Sequence, residues 1–174
     1  ELSSSEKNIA ENLMIVDVLR NDISRVSKKG SVEVTELAKI KSYKNVHHLV
    51  STIKGLLAEK LDAIDLLFAT LPGGSITGAP KIRAMEIISE LEKNRRGVYC
   101  GAIGFISFSK DSDFNIPIRT LTIADNTISI NCGGGIVSDS NAESEYQESI
   151  DKIENILREN RKKIIKQSSN VNQK

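Results

Sequence analysis

Three groups of residues in this chain could do chemistry together. Glu11, Glu145 and Glu148 are carboxylates on helix-forming segments, and hard oxygen donors of this kind hold cations. Arg119, the run Gly133-Gly134-Gly135 and the loop carrying Ser75 and Thr77 are anion-binding types. A guanidinium cannot be discharged, consecutive glycines let backbone N–H groups approach a ligand, and a hydroxyl-bearing turn before a helix presents free N–H groups. His48 titrates near neutrality and can move a proton. Together these suit a small substrate with two negative charges, held partly through a metal. Each also has a plainer reading. Glu11 can be a solvated residue near a helix start. Glu145, Glu148 and Lys152, at i, i+3 and i+7, can be surface pairs on one helix face. His48 can be a packing residue, like its neighbour His47. Arg119 can pair with an internal carboxylate, and Tyr99 can be a core aromatic.

The elements that must position these residues follow from periodicity and punctuation. The stretch Leu71–Ile87, LPGGSITGAPKIRAMEI, organises the rest. Pro72, Gly73 and Gly74 break the preceding element, and Pro80 suits the first turn of a helix that continues through Ile82, Met85 and Ile88 to about Lys93. Upstream, Ser3–Ser5 offer N-cap hydroxyls for a helix to about Arg25, apolar nearly all round between Leu13 and Leu19. Glu11 and Asp17 in that helix each need a partner. Ser31 to Tyr43 reads as a β region, and Val46, His48, Val50 and Thr52 share one face of a second strand. Asp62 caps a short helix. Val98–Phe108, Asn115–Ala124 and Thr127–Cys132 read as an antiparallel meander, with Arg119 among apolar strand residues. Asp139 or Ser140 caps a last helix through about Ile165. The expected fold class is α+β, an antiparallel β core with flanking helices. Residues 1–165 form the folded portion and 166–174 a disordered polar tail.

Composition narrows the function classes. A chain of 174 residues with 39% hydrophobic and 27% charged residues is long enough for a core. A net charge of +1 gives no argument for nucleic acid or an acidic membrane. No apolar run reaches membrane-spanning length. Cys100 and Cys132 lack metal-site spacing and read as reduced thiols of a cytoplasmic protein.

The string Pro72–Ile88, PGGSITGAPKIRAMEII, resembles the signature of the chorismate-utilising enzymes, in the aminodeoxychorismate synthase component I branch; the likeness runs from about Ala10 to Leu157. Anthranilate synthases usually carry Ala-Gly-Thr where this chain has Gly73-Gly74-Ser75. The resemblance implies the C-terminal part of that family's fold and of a longer protein. It implies Mg-dependent amination of chorismate at C4, on the way to p-aminobenzoate and folate, with ammonia from a glutamine amidotransferase subunit. It makes Glu11, Glu145 and Glu148 magnesium ligands. It places His48 beside the departing hydroxyl and Ser75 in the catalytic loop. It puts Thr77, Tyr99, Arg119, Gly133, Gly134, Gly135 and Lys152, again with Ser75, on the substrate. The family's lysine nucleophile, in a Pro-Ile-Lys-Gly motif, is absent from these residues. Another chorismate enzyme, such as anthranilate or isochorismate synthase, and a fragment that binds chorismate and magnesium without turnover are the alternatives.

Overall fold

The computed structural model describes residues 6–43, 47–125 and 127–171; side chains of 6–7, 155–156 and 159–171 are outside the description. The Ser3–Ser5 cap and Val46 therefore lie outside the described residues, as does Asn126. The chain divides into two compact units, one of residues 1–95 and 100–116, the other of 96–99 and 117–174.

In the first unit, helix α1 (Glu6–Ser24) packs against strands β1 (Glu33–Ser42) and β2 (His47–Lys54), helix α2 (Ala63–Thr70) and the 3-10 turn Gly74–Ile76. An apolar run on most sides of a helix needs neighbours on several sides, and α1 has them. Val16 and Val26 are buried; Leu13 stays exposed. Asp17 needs no buried partner, because it lies exposed 3.6 Å from Arg20. Strands β1 and β2 pair antiparallel from Glu33↔Lys54 to Ser42↔His47, with register shifts on either side of Glu36. The second shift contains Ala38, whose φ is 48°. Its N–H donates to Ser51 Oγ at 2.9 Å, Ser51 Oγ donates to Asn12 Oδ1, and Asn12 Nδ2 donates to the Leu49 carbonyl. This closed polar network fixes α1 on the hairpin. Asp62 caps α2 as its position suggested: it accepts from Ile64 and Asp65 N–H, while Asp65 accepts from the Asp62 N–H. Such a reciprocal cap contributes about 1 kcal/mol. Helix α3 spans Lys81–Leu91, and Pro80 is its N-cap in extended conformation, one residue earlier than the first-turn position expected.

The expected strand Val98–Phe108 shortens to β3 (Ile103–Ile106), paired with β4 (Ser112–Asn115). Gly97 and Cys100 both hold positive φ, which a strand does not accommodate. The returning strand Asn115–Ala124 is likewise broken. Pro117 lacks an N–H for the ladder and Arg119 has φ 50°. The chain resumes as β5 (Thr120–Ala124) in the second unit, paired with β6 (Thr127–Asn131). The described strands thus form three separate two-stranded sheets rather than one meander. Helix α4 spans Ala142–Val171. Its N-cap is Asn141, whose Oδ1 accepts from the Ser144 N–H at 3.1 Å. Neither Asp139 nor Ser140 fills that role. The tail expected over 166–174 continues α4 as far as Val171, and 172–174 lie outside the described residues.

Candidate functional site

In the second unit the glycine run follows β6 directly and meets the start of α4. A Cβ placed on Gly134 would lie 3.2 Å from Glu145 Oε2, 3.7 Å from Lys152 Nζ and 3.8 Å from Glu148 Oε1. One placed on Gly133 would lie 3.2 Å from the Tyr99 hydroxyl. The i, i+3, i+7 spacing puts the three charged side chains on one face of α4, and that face looks onto the glycines. Lys152 Nζ binds Glu148 Oε1 at 2.5 Å and reaches the Gly133 carbonyl at 3.3 Å. Glu145 is held from its other side, where Ser140 Oγ donates to Oε1 at 2.6 Å. Ser140 also accepts from the Val137 N–H, so one hydroxyl links the turn before α4 to the carboxylate. Sequence reasoning saw Ser140 only as a cap. Its role at Glu145 depends on the side chain pointing into the turn, which no local pattern specifies.

Two oxygens and an ammonium thus face a space that only a residue without a side chain leaves open. Gly135 is exposed beyond it. Arg119 is not set among apolar strand residues: it lies exposed at the bend before β5, and no ion pair among the described residues engages it. Its charge is solvated and needs no internal carboxylate.

In the first unit, Glu11 is half-buried on α1. Val18 and Asp22 lie seven and eleven residues further along, which puts all three on one helix face. That face seats the Gly-rich loop, since Gly74 abuts Val18 and Lys81 pairs with Asp22. Glu11 sits about 10 Å along the axis from Val18, at the rise of an α-helix. His48 is exposed on β2, its ring edge-on to Tyr43 with centroids 5.8 Å apart. His47 binds Ser42 Oγ through Nδ1 at 2.9 Å. Ser75 is exposed at the tip of the loop, whereas Thr77 Oγ1 donates to the Gly73 carbonyl at 2.9 Å. The single hydroxyl hydrogen of Thr77 is therefore directed inward, and that of Ser75 is the one available to a ligand. Within neither unit do three His, Cys, Asp or Glu side chains among the described residues gather as a metal site.

Similarity to known proteins identifies the family. A family profile described as chorismate binding enzyme matches residues 1–158. Aminodeoxychorismate synthase component 1 of Escherichia coli K12 is 57% identical over 159 residues, covering 91% of this chain and 35% of the relative. Anthranilate synthase component 1 of Aquifex aeolicus VF5 is 48% identical over 158 residues, 91% of this chain and 32% of the relative. The crystal structure of anthranilate synthase component I from Streptococcus pneumoniae TIGR4 superposes with a TM-score of 0.79 at 48% identity, covering 87% of this chain and 35% of that one. The chain spans about a third of the length of these relatives. With the α+β architecture, the matched span and the identity all in agreement, the chain belongs to the chorismate binding enzymes.

Proposed function

We propose that this chain supplies the chorismate- and magnesium-binding part of a cytoplasmic enzyme that aminates chorismate at C4. The product is 4-amino-4-deoxychorismate, and a glutamine amidotransferase subunit delivers the ammonia. The observation carrying the reading is the convergence of Glu145, Glu148 and Lys152 on the space at Gly134, with the Tyr99 hydroxyl beside Gly133. The 57% identity to an aminodeoxychorismate synthase component 1 supports the choice of reaction.

The donor set fits magnesium, which prefers hard carboxylate oxygens with water and substrate oxygens completing its shell. Glu145 and Glu148 would hold the ion, and the family resemblance gives Glu11 of α1 the same role. When bound, it supplies Lewis-acid stabilisation of charge on the substrate. The chain's own residues then have distinct tasks. The Gly133–Gly135 backbone, Lys152 and Arg119 offer N–H and cationic groups to the substrate carboxylates. An arginine can hold a carboxylate through two parallel bonds. Tyr99 can donate to the same substrate. Ser75 presents its hydroxyl from a loop whose other hydroxyl, that of Thr77, is bonded to the Gly73 carbonyl. His48 donates a proton or a hydrogen bond to the C4 hydroxyl as it departs.

Anthranilate formation is the second reading, favoured by 48% identity over nearly the same span to anthranilate synthases. The loop residues Gly73-Gly74-Ser75 favour the first. Calorimetry of chorismate binding, with and without magnesium, tests the site common to both. We expect binding that requires magnesium and weakens at least tenfold in Glu148→Ala. A folded chain that binds equally well with that carboxylate removed would sink the assignment of α4 to the metal.

A further inference from the structure

We propose that Lys81 is a positioning residue whose ammonium clasps both ends of the Leu71–Pro80 loop to α1, so that Ser75 is presented outward to a ligand. The identity of that ligand rests on the function proposed above; the clasp itself does not.

Asp22 is 3% exposed, the one polar residue among those buried in the described part of the chain. Its carboxylate pairs with Lys81 Nζ, a side chain only 17% exposed. The same ammonium reaches the Thr70 carbonyl at 3.5 Å. Thr70 is the last residue of α2 and Lys81 the first of α3. One charged group therefore touches the residue before the loop and itself anchors the residue after it. A lysine in the first turn of a helix has the wrong sign for the helix dipole. Pro80 gives α3 no side-chain cap. The position of Lys81 is explained by what it grips, not by α3.

Between the two ends, Gly74 lies against Val18, one helical turn from Asp22 on the same face of α1. The loop closes on itself through Ile76 N–H to the Gly73 carbonyl and Thr77 N–H to the Gly74 carbonyl. Ser75 alone of this turn is exposed. A buried ion pair adds little net stability over an apolar contact of the same shape, but its directional bonds can select one arrangement. Loop geometry, rather than folding energy, is therefore what Asp22 and Lys81 should control.

The test compares the chain with Asp22→Asn, Lys81→Met and the double variant. Three quantities are read: the urea midpoint, amide hydrogen exchange at Gly74–Thr77, and chorismate affinity in magnesium. Lys81→Met strands a buried carboxylate and lowers the midpoint. The double variant, with neither charge, regains most of that loss. We expect its Gly74–Thr77 amides still to exchange at least tenfold faster than in the unaltered chain, and its chorismate affinity to fall at least tenfold. Asp22→Asn, neutral and nearly isosteric, gives the same loop readout if Lys81→Met fails to fold. Exchange within twofold of the unaltered chain in the double variant would overturn the clasp. Unchanged affinity despite faster exchange would overturn its positioning role. An unaltered chain that binds no chorismate would count against the proposed function, while the exchange measurement still decides the clasp.

Discussion

At Gly134 the hydrogen that stands in for a side chain is what lets two carboxylates and an ammonium approach the backbone. Its φ is not in the left-handed region, so alanine fits the backbone there. The new Cβ would press on Glu145 Oε2, the far end of a long side chain, at 3.2 Å, rather than on packed backbone. Gly134→Ala should therefore leave folding stability within about 0.5 kcal/mol, as for a change that touches no packed core. It should weaken magnesium-dependent chorismate binding about tenfold. Urea denaturation and calorimetry on the same preparation check the two halves of that expectation. The sequence made this cluster legible because Glu145, Glu148 and Lys152 are local and periodic, and the glycine run is conspicuous beside them. The Asp22–Lys81 pair was not legible. Its partners are 59 residues apart, and neither residue type departs from an ordinary surface charge until the fold buries it.

Among the elements, the β1–β2 hairpin carries the clearest pH signature. Glu36 lies between the two register shifts, where Lys39, then Lys41 and Thr52, hydrogen-bond its carboxylate and hold its pKa down to about 2. Lys39 is raised in turn by the same bond. A carboxyl depressed below its unfolded value contributes stability that is fully present above the ordinary value of 4.5 and is lost as pH falls toward 2. The carboxyl carbon resonance of Glu36 should therefore titrate about two pH units below those of free glutamates. In Lys39→Met the midpoint should move up. Helices were the readable elements here: α2 and α3 carry their start signals in Asp62 and Pro80, and their apolar spacing is regular. The strands after α3 were misread because alternation alone cannot see positive φ at Cys100 and Arg119. Pro117 was a visible warning, since it removes a ladder donor where a continuous strand was expected.

For the molecule as a whole, the balance of buried and exposed apolar surface is unusual. Val16, Val26 and Cys100 are the buried apolar residues described, while Phe68, Ile82, Leu91, Phe105 and Phe108 are each more than half exposed. Every described strand has only one partner, so every sheet offers open edges. Exposed apolar patches and unpaired edges are the two features that drive association. The chain should self-associate, with a sedimentation coefficient that rises with concentration, and Phe105→Lys on β3 should reduce that rise. The α+β class was legible in the alternation of helical and strand-like patterns. The division into two units was not, because it turns on where a tetrapeptide belongs. Arg96–Tyr99 groups with 117–174 although it lies between two stretches of the other unit. This interleaving has a consequence for the order of assembly during synthesis, when a chain folds from its N-terminal end. The last residue of the first unit, Ile116, is made before any of β5, β6 or the glycine run. Arg96–Tyr99 is thus made well before the elements it groups with, and Gly133 can come to lie against the Tyr99 hydroxyl only after β5, β6 and the glycine run have left the ribosome.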